Sequence, residues 1–142
     1  MKRYLICMFL FSFSMAKAQE NLNVPQGSKI YVTTSSKNEN AVNSVQHAIA
    51  LLKDWAYWTI VESEKDAELT LNLGITASKG ITLTSWGGTS YQLVGTILDK
   101  NKEVLWESNG YKASPNGTNG FNAGKSVAKK LVRDLKKLSE EK

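Results

Sequence analysis

Hydrophobic residues change their spacing several times along this 142-residue chain, and each change marks an element. In "KIYVTT", residues 29–34, Ile30 and Val32 share one side of a pleat, which predicts a first strand. From there Ala41, Val42, Val45, Ala48, Ile49 and Leu52 recur at steps of three and four, predicting an amphipathic helix from about Lys37 to Trp55. Ser36-x-x-Glu39 ahead of it reads as a capping box. The period then falls to two. "WTIVES" (58–63) and "ELTLNLGIT" (68–76) predict strands around the charged turn "EKDA", the second with Leu69, Leu71, Leu73 and Ile75 inward. "ITLTSW" (81–86) extends the sheet after a Ser78-Lys79-Gly80 turn. "YQLVGTIL" (91–98) and "EVLWES" (103–108) form a hairpin through "DKNK". After a glycine- and asparagine-rich loop at 114–123, Val127, Leu131, Leu135 and Leu138 step along one face of a closing helix.

The order β-α-β-β-(β)-β-β-α predicts an α+β fold. Its expected form is a single mixed, largely antiparallel sheet of about five strands with two helices packed on one face. The first strand and "WTIVES" are expected as neighbours or near neighbours, joined by a crossover through the first helix.

The chain's amino-terminal end alters how its composition reads. "MKRYLICMFLFSFSMAKA" has the basic start, short apolar stretch and Ala-x-Ala ending of a signal peptide, so cleavage is expected after Ala18. Residues 19–28 read as a flexible lead-in arm and 29–142 as one α/β domain. The single cysteine, Cys7, lies inside the apolar run with bulky neighbours. A periplasmic or secreted protein that is not lipid-anchored is therefore the expectation. Of the 18 basic residues three lie in the leader, which leaves 15 against 13 acids. A net charge of +2 gives no support to nucleic-acid binding.

"NGTNGFNAGKSVAKKLV", residues 116–132, is the stretch that looks most like chemistry. A phosphate-binding P-loop needs a glycine five residues before the Gly-Lys-Ser pair, so that backbone N–H groups wrap the phosphates. Counting back from Gly124 gives Asn119, and no later strand supplies a metal-binding aspartate. The stretch is better read as a loop followed by a helix that Asn122 caps, with no nucleotide bound. Asn116-Gly117-Thr118 matches a glycosylation triplet, a short pattern that arises by chance. Asp99 to Glu103 alternates oxygen-bearing side chains as a calcium loop does, yet two lysines interleave them and the sixth-position glycine is missing, which favours a hairpin turn. His47 is the only histidine and no cysteine survives cleavage, which leaves neither a Cys/His pair nor a multi-histidine zinc site. The reading is a non-catalytic protein without cofactor or metal.

Binding is the remaining chemistry. Trp86, beside Gly87-Gly88, together with Tyr91 and the loop residues Asn119 and Phe121, are the candidate partner-binding residues. Trp55, Tyr57 and Trp58 are expected to seal the end of the core. The basic side of the closing helix, with Lys125, Lys129, Lys130, Arg133, Lys136 and Lys137, reads as a solvated face in preference to a peripheral membrane contact.

"DAELTLNLGI", then "YQLVGTILDKNKEVLWES", then a terminal helix opening "AGKSVAKKLVRDL", resembles envelope α/β domains of the TolB amino-terminal, curli-secretion CsgG and LpoB-type lipoprotein group. Asp66-Ala67-Glu68 stands where that group has Ala-Asp, and Asn101-Lys102 where Gly-Lys is common. The resemblance implies an exported, non-catalytic bacterial envelope module that meets another envelope protein through the sheet surface or the 114–123 loop. The alternative is a small-molecule or glycan-binding domain using Trp86 and Tyr91.

Overall fold

The structure is a computed structural model that describes residues 22–37, 39–79, 89–113 and 122–140. Its elements are β1 (Lys29–Thr33), α1 (Glu39–Trp55), β2 (Thr59–Val61), a 3-10 turn (Glu64–Asp66), β3 (Leu69–Lys79), β4 (Thr89–Leu98), β5 (Val104–Glu107), β6 (Tyr111–Ala113) and α2 (Ala123–Glu140). The strands form one six-stranded sheet in the order β2-β1-β3-β4-β5, with β6 pairing β4 beside β5. β1 runs parallel to both β2 and β3, and every pairing of β4 is antiparallel. The predicted α+β fold is therefore present, with β1 and β2 side by side. The predicted strand 81–86 lies outside the described residues.

Register explains which side chains face the helices. Val32 pairs with Leu71, Leu71 with Ile97, Leu73 with Gly95 and Ile75 with Leu93, and paired residues share a face. Val32, Leu71, Leu73, Ile75, Leu93 and Ile97 are all buried and form one core with Val45, Ala48 and Leu52 of α1 and Val127, Leu131 and Leu135 of α2. Each large side chain buried here contributes about 1.5–3 kcal/mol. The other face carries Tyr31, Thr33, Asn72, Val94 and Thr96, all half-buried. Gly95 sits on the helix face because a Cβ there would come within 2.9 Å of Leu131 Cδ1.

Three local differences from the sequence pattern have physical reasons. Residues 22–28 are packed instead of free: Leu22 and Val24 are buried in the core, the Gly27 N–H donates to the Tyr57 carbonyl at 2.7 Å, and the Thr59 N–H donates to the Ser28 carbonyl at 3.0 Å. α1 begins at Glu39, so Glu39 lies in the first turn and not three residues into a helix capped by Ser36. Ser36 instead donates its N–H to Thr34 Oγ1, whose hydroxyl donates to the Leu73 carbonyl at 2.7 Å. Finally Val42, placed on the apolar stripe by spacing, is 37% exposed at its edge.

α1 ends where Ala56 takes a left-handed conformation (φ 53°) and its N–H reaches the Leu52 carbonyl. The turn delivers Trp58 into the core while Trp55 and Tyr57 stack on each other at 4.8 Å. The aromatic cluster thus closes this end of the core as its position suggested.

Candidate interaction surface

At the start of α2 the side chain of Asn122 accepts the Lys125 N–H at 2.9 Å, and its carbonyl accepts the Ser126 N–H at 3.0 Å. This is an N-cap, which satisfies donors that the first helical turn leaves open. Gly124 is buried against α1: a Cβ there would lie 2.2 Å from Ser44 Oγ and 3.4 Å from Ser44 Cβ. The glycine of "GKS" is therefore used for close approach of two helices, and Lys125 is exposed. Packing accounts for Gly124, and the cap uses only the backbone N–H of Lys125.

The Asp99 loop is the hairpin turn its lysines suggested. One oxygen of Asp99 accepts the N–H groups of Asn101 (2.8 Å) and Glu103 (2.9 Å), and Lys102 adopts φ 64° while its ammonium meets Glu64. Among the described residues no group of three or more His, Cys, Asp and Glu converges as a metal site would. His47 is half-buried on α1.

A polar cluster ties α2 to the sheet. Ser108 is buried and exchanges hydrogen bonds with Gly95, its Oγ accepting the Gly95 N–H at 2.8 Å and its own N–H reaching the Gly95 carbonyl at 2.8 Å. Beside it the Tyr111 hydroxyl is held well above the ordinary tyrosine range. Burial is the larger cause and the hydrogen-bonded carboxylate of Asp134 the next, partly offset by Ser108 and Arg133. One turn back on α2, Lys130 Nζ donates to the Lys112 carbonyl at 2.6 Å.

Of the four candidate binding residues, Trp86, Asn119 and Phe121 lie outside the described residues. Tyr91 lies on β4, opposite Ala77 of β3 and Ala113 of β6, and packs half-buried against the core. The described segments that flank the 80–88 and 114–121 stretches are adjacent: Lys79 pairs with Thr89, two positions from Tyr91, and Ala113 pairs with Tyr91 itself. Pairing thus brings the attachment points of both stretches to one end of the sheet.

Among the described residues, the large apolar side chains exposed besides Val42 lie elsewhere, at an edge that the sequence pattern did not single out. Among the described residues β5 is the terminal strand on its side and pairs only with β4, through a register shift beside Leu98. Trp106 turns inward and is buried, whereas Val104 is 59% and Leu105 38% exposed. Next to Leu105 is a groove of about 500 Å³ lined by residues 23–28, Glu68 and Leu69, so Pro25 and Leu69 extend the apolar surface into a recess. Large apolar side chains on an unpaired strand edge are what most proteins avoid by charge or coverage. Strict alternation in "VLWE" would turn Val104 inward with Trp106, and only the register shift between Ile97 and Leu98 turns it out, so the sequence carried no signal of this edge.

No family model and no curated protein sequence matches the chain. Solved structures do. A point-substituted form of the PelC dodecamer from Paraburkholderia phytofirmans superposes with a TM-score of 0.61 at 13% identity, covering 89% of this chain and 97% of that one. A minor lipoprotein from Acinetobacter baumannii gives 0.54 at 11% identity, with 80% and 96% covered. The lipoprotein GNA1162 from Neisseria meningitidis gives 0.51 at 11%, with 78% and 96% covered. At such identities the likeness is one of fold.

These structures refine one expectation and remove another. The fold they share is of a lipoprotein type and does not single out the TolB, CsgG or LpoB group that the sequence motifs resembled. The expectation of a protein that is not lipid-anchored is withdrawn, because the same fold is carried by lipoproteins in Acinetobacter and Neisseria. It rested on the residues around Cys7, which lie outside the described residues.

Proposed function

We propose that this chain is an exported, non-catalytic module of a bacterial cell envelope that acts through protein–protein contacts, with a second copy of itself as the first partner to test. The observation that carries this is the β5 edge, where Val104 and Leu105 stand in solvent and Leu105 borders the groove formed by residues 23–28. Full burial of a side chain of this size is worth about 1.5–3 kcal/mol, and covering the 59% of Val104 and 38% of Leu105 still exposed is worth roughly half of that each. The unpaired backbone of the same strand can add a further ladder, the mode by which sheet edges recruit chains. Support for self-association comes from the fold: the PelC structures are dodecamers, and they cover most of this chain.

Sedimentation velocity on residues 19–142 tests the proposal over a concentration series. The expected result is a species heavier than the monomer, reduced to monomer by Val104→Lys with Leu105→Lys. A wild-type chain that sediments as a monomer throughout refutes self-association. An oligomer unchanged by the double substitution refutes the edge as its contact.

A further inference from the structure

α2 places its charges on one side in an unusual way. Its 18 residues hold six bases (Lys125, Lys129, Lys130, Arg133, Lys136, Lys137) and two acids, Asp134 and Glu140, a net +4. The processed chain totals +2, so everything outside this helix sums to −2. At about 100° per residue the six cations fall within a single arc of roughly 140°, opposite the buried Val127, Ala128, Leu131 and Leu135. Lys125, Lys129, Arg133 and Lys137 are exposed and follow one another at four-residue steps, a ridge about 18 Å long. Glu140 is the one acid inside the arc. Asp134 lies to the side, where it receives the Tyr111 hydrogen bond and stands 3.5 Å from Arg133 Nε.

A helix face whose purpose is only to stay hydrated gains from alternating signs, since Glu-Lys pairs four apart stabilise it. Here the four-residue steps repeat the same sign, which costs stability in isolation. A second observation indicates what kind of surface offsets that cost. Near the carboxyl end of the ridge, Lys136 Nζ lies 6.0 Å from the ring centroid of Trp55, which stacks on Tyr57, and both rings are half-buried. Half-exposed Trp and Tyr beside lysines are the side chains that sit at the level of lipid headgroups.

We infer that the outer face of α2 docks on an anionic phospholipid surface, with the lysine ridge over the headgroups and the Trp55–Tyr57 pair at its margin. The face carries no apolar stripe for insertion, so the attachment is peripheral and reversible by salt. It is separate from the β5 edge and independent of whether the chain self-associates.

Co-sedimentation with vesicles tests this directly, using phosphatidylcholine alone and phosphatidylcholine mixed with phosphatidylglycerol. The wild-type protein is expected to pellet with the mixed vesicles at low ionic strength, to be released by added salt, and to stay in solution with phosphatidylcholine alone. At about a fivefold loss per cation removed, Lys129→Gln with Lys137→Gln lowers binding about thirtyfold. Both positions are exposed and salt release needs no variant, so a folding defect cannot imitate the result. Equal pelleting with both vesicle types overturns the inference, as does pelleting that survives salt or the double substitution. So does a wild-type protein that ignores both vesicle types and binds an acidic protein through the same lysines. The sedimentation-velocity result at the β5 edge is unaffected by any of these outcomes.

Discussion

Gly124→Ala puts one methyl group at the place where α2 crosses α1. Its Cβ would lie 2.2 Å from Ser44 Oγ, far inside contact distance, and 3.4 Å from Ser44 Cβ, which is tight but tolerable. Ser44 is buried, and turning its short side chain away exchanges its present interaction for another clash or a lost bond. Overpacking of this kind costs about 1–3 kcal/mol. Alanine's better helix propensity returns up to about 1 kcal/mol, and less in a first turn. A net loss of about 1–2 kcal/mol is expected, a fall in Tm of several degrees for a domain of this size. Thermal and urea unfolding followed by circular dichroism measure it. The decisive comparison is a double-mutant cycle with Ser44→Ala, in which the 2.2 Å contact no longer exists. There Gly124→Ala should be nearly neutral, giving a coupling of about 1 kcal/mol or more. Equal cost in both backgrounds would show that the glycine is needed for something other than this helix contact. A stable Gly124→Ala protein that had lost nucleotide binding would falsify the packing account and restore the phosphate-loop reading.

Two further measurements probe neighbouring features. Asn122→Ala removes the cap of α2 and should cost about 1 kcal/mol in urea unfolding, while Asn122→Ser should retain most of it. Tyr111 keeps its proton more tightly in the folded chain than in the unfolded one. Its contribution is therefore complete below the ordinary tyrosine pKa and is lost as pH rises from there toward the folded value. Alkaline unfolding should accordingly come at higher pH, with a shallower slope, in Tyr111→Phe, even though that variant loses a hydrogen bond worth about 1 kcal/mol at neutral pH.

What could be read from sequence, and what could not, follows from how local each determinant is. The run Leu69-Leu71-Leu73-Ile75 announced β3 because a strand buried on one face must alternate, and its register then placed Leu93 and Ile97 on the same side. The cap at Asn122 was legible because a cap is made within three residues. Leu22 and Val24 also alternate, but two apolar residues in a polar stretch are too few to predict packing, and what holds them is tertiary: Tyr57 accepts the Gly27 N–H from across the fold. β6 is three residues long and exists because β4 continues past β5 with an open edge, which no pattern in "YKA" reveals. The same limit governs the surface. Trp86 stood out because aromatic residues beside glycines are visible in a string, whereas Val104 and Leu105 belong to an ordinary hairpin strand and become notable only when β5 proves terminal. The six cations of α2 were equally visible as letters. Helix periodicity alone puts their positions on one side; what the sequence did not show is that Asp134, off that arc, is held by Tyr111, in a strand too short to announce itself. With the neighbours in place, Lys125, Lys129, Arg133 and Lys137 form an exposed ridge of one sign while Asp134 is engaged by the sheet.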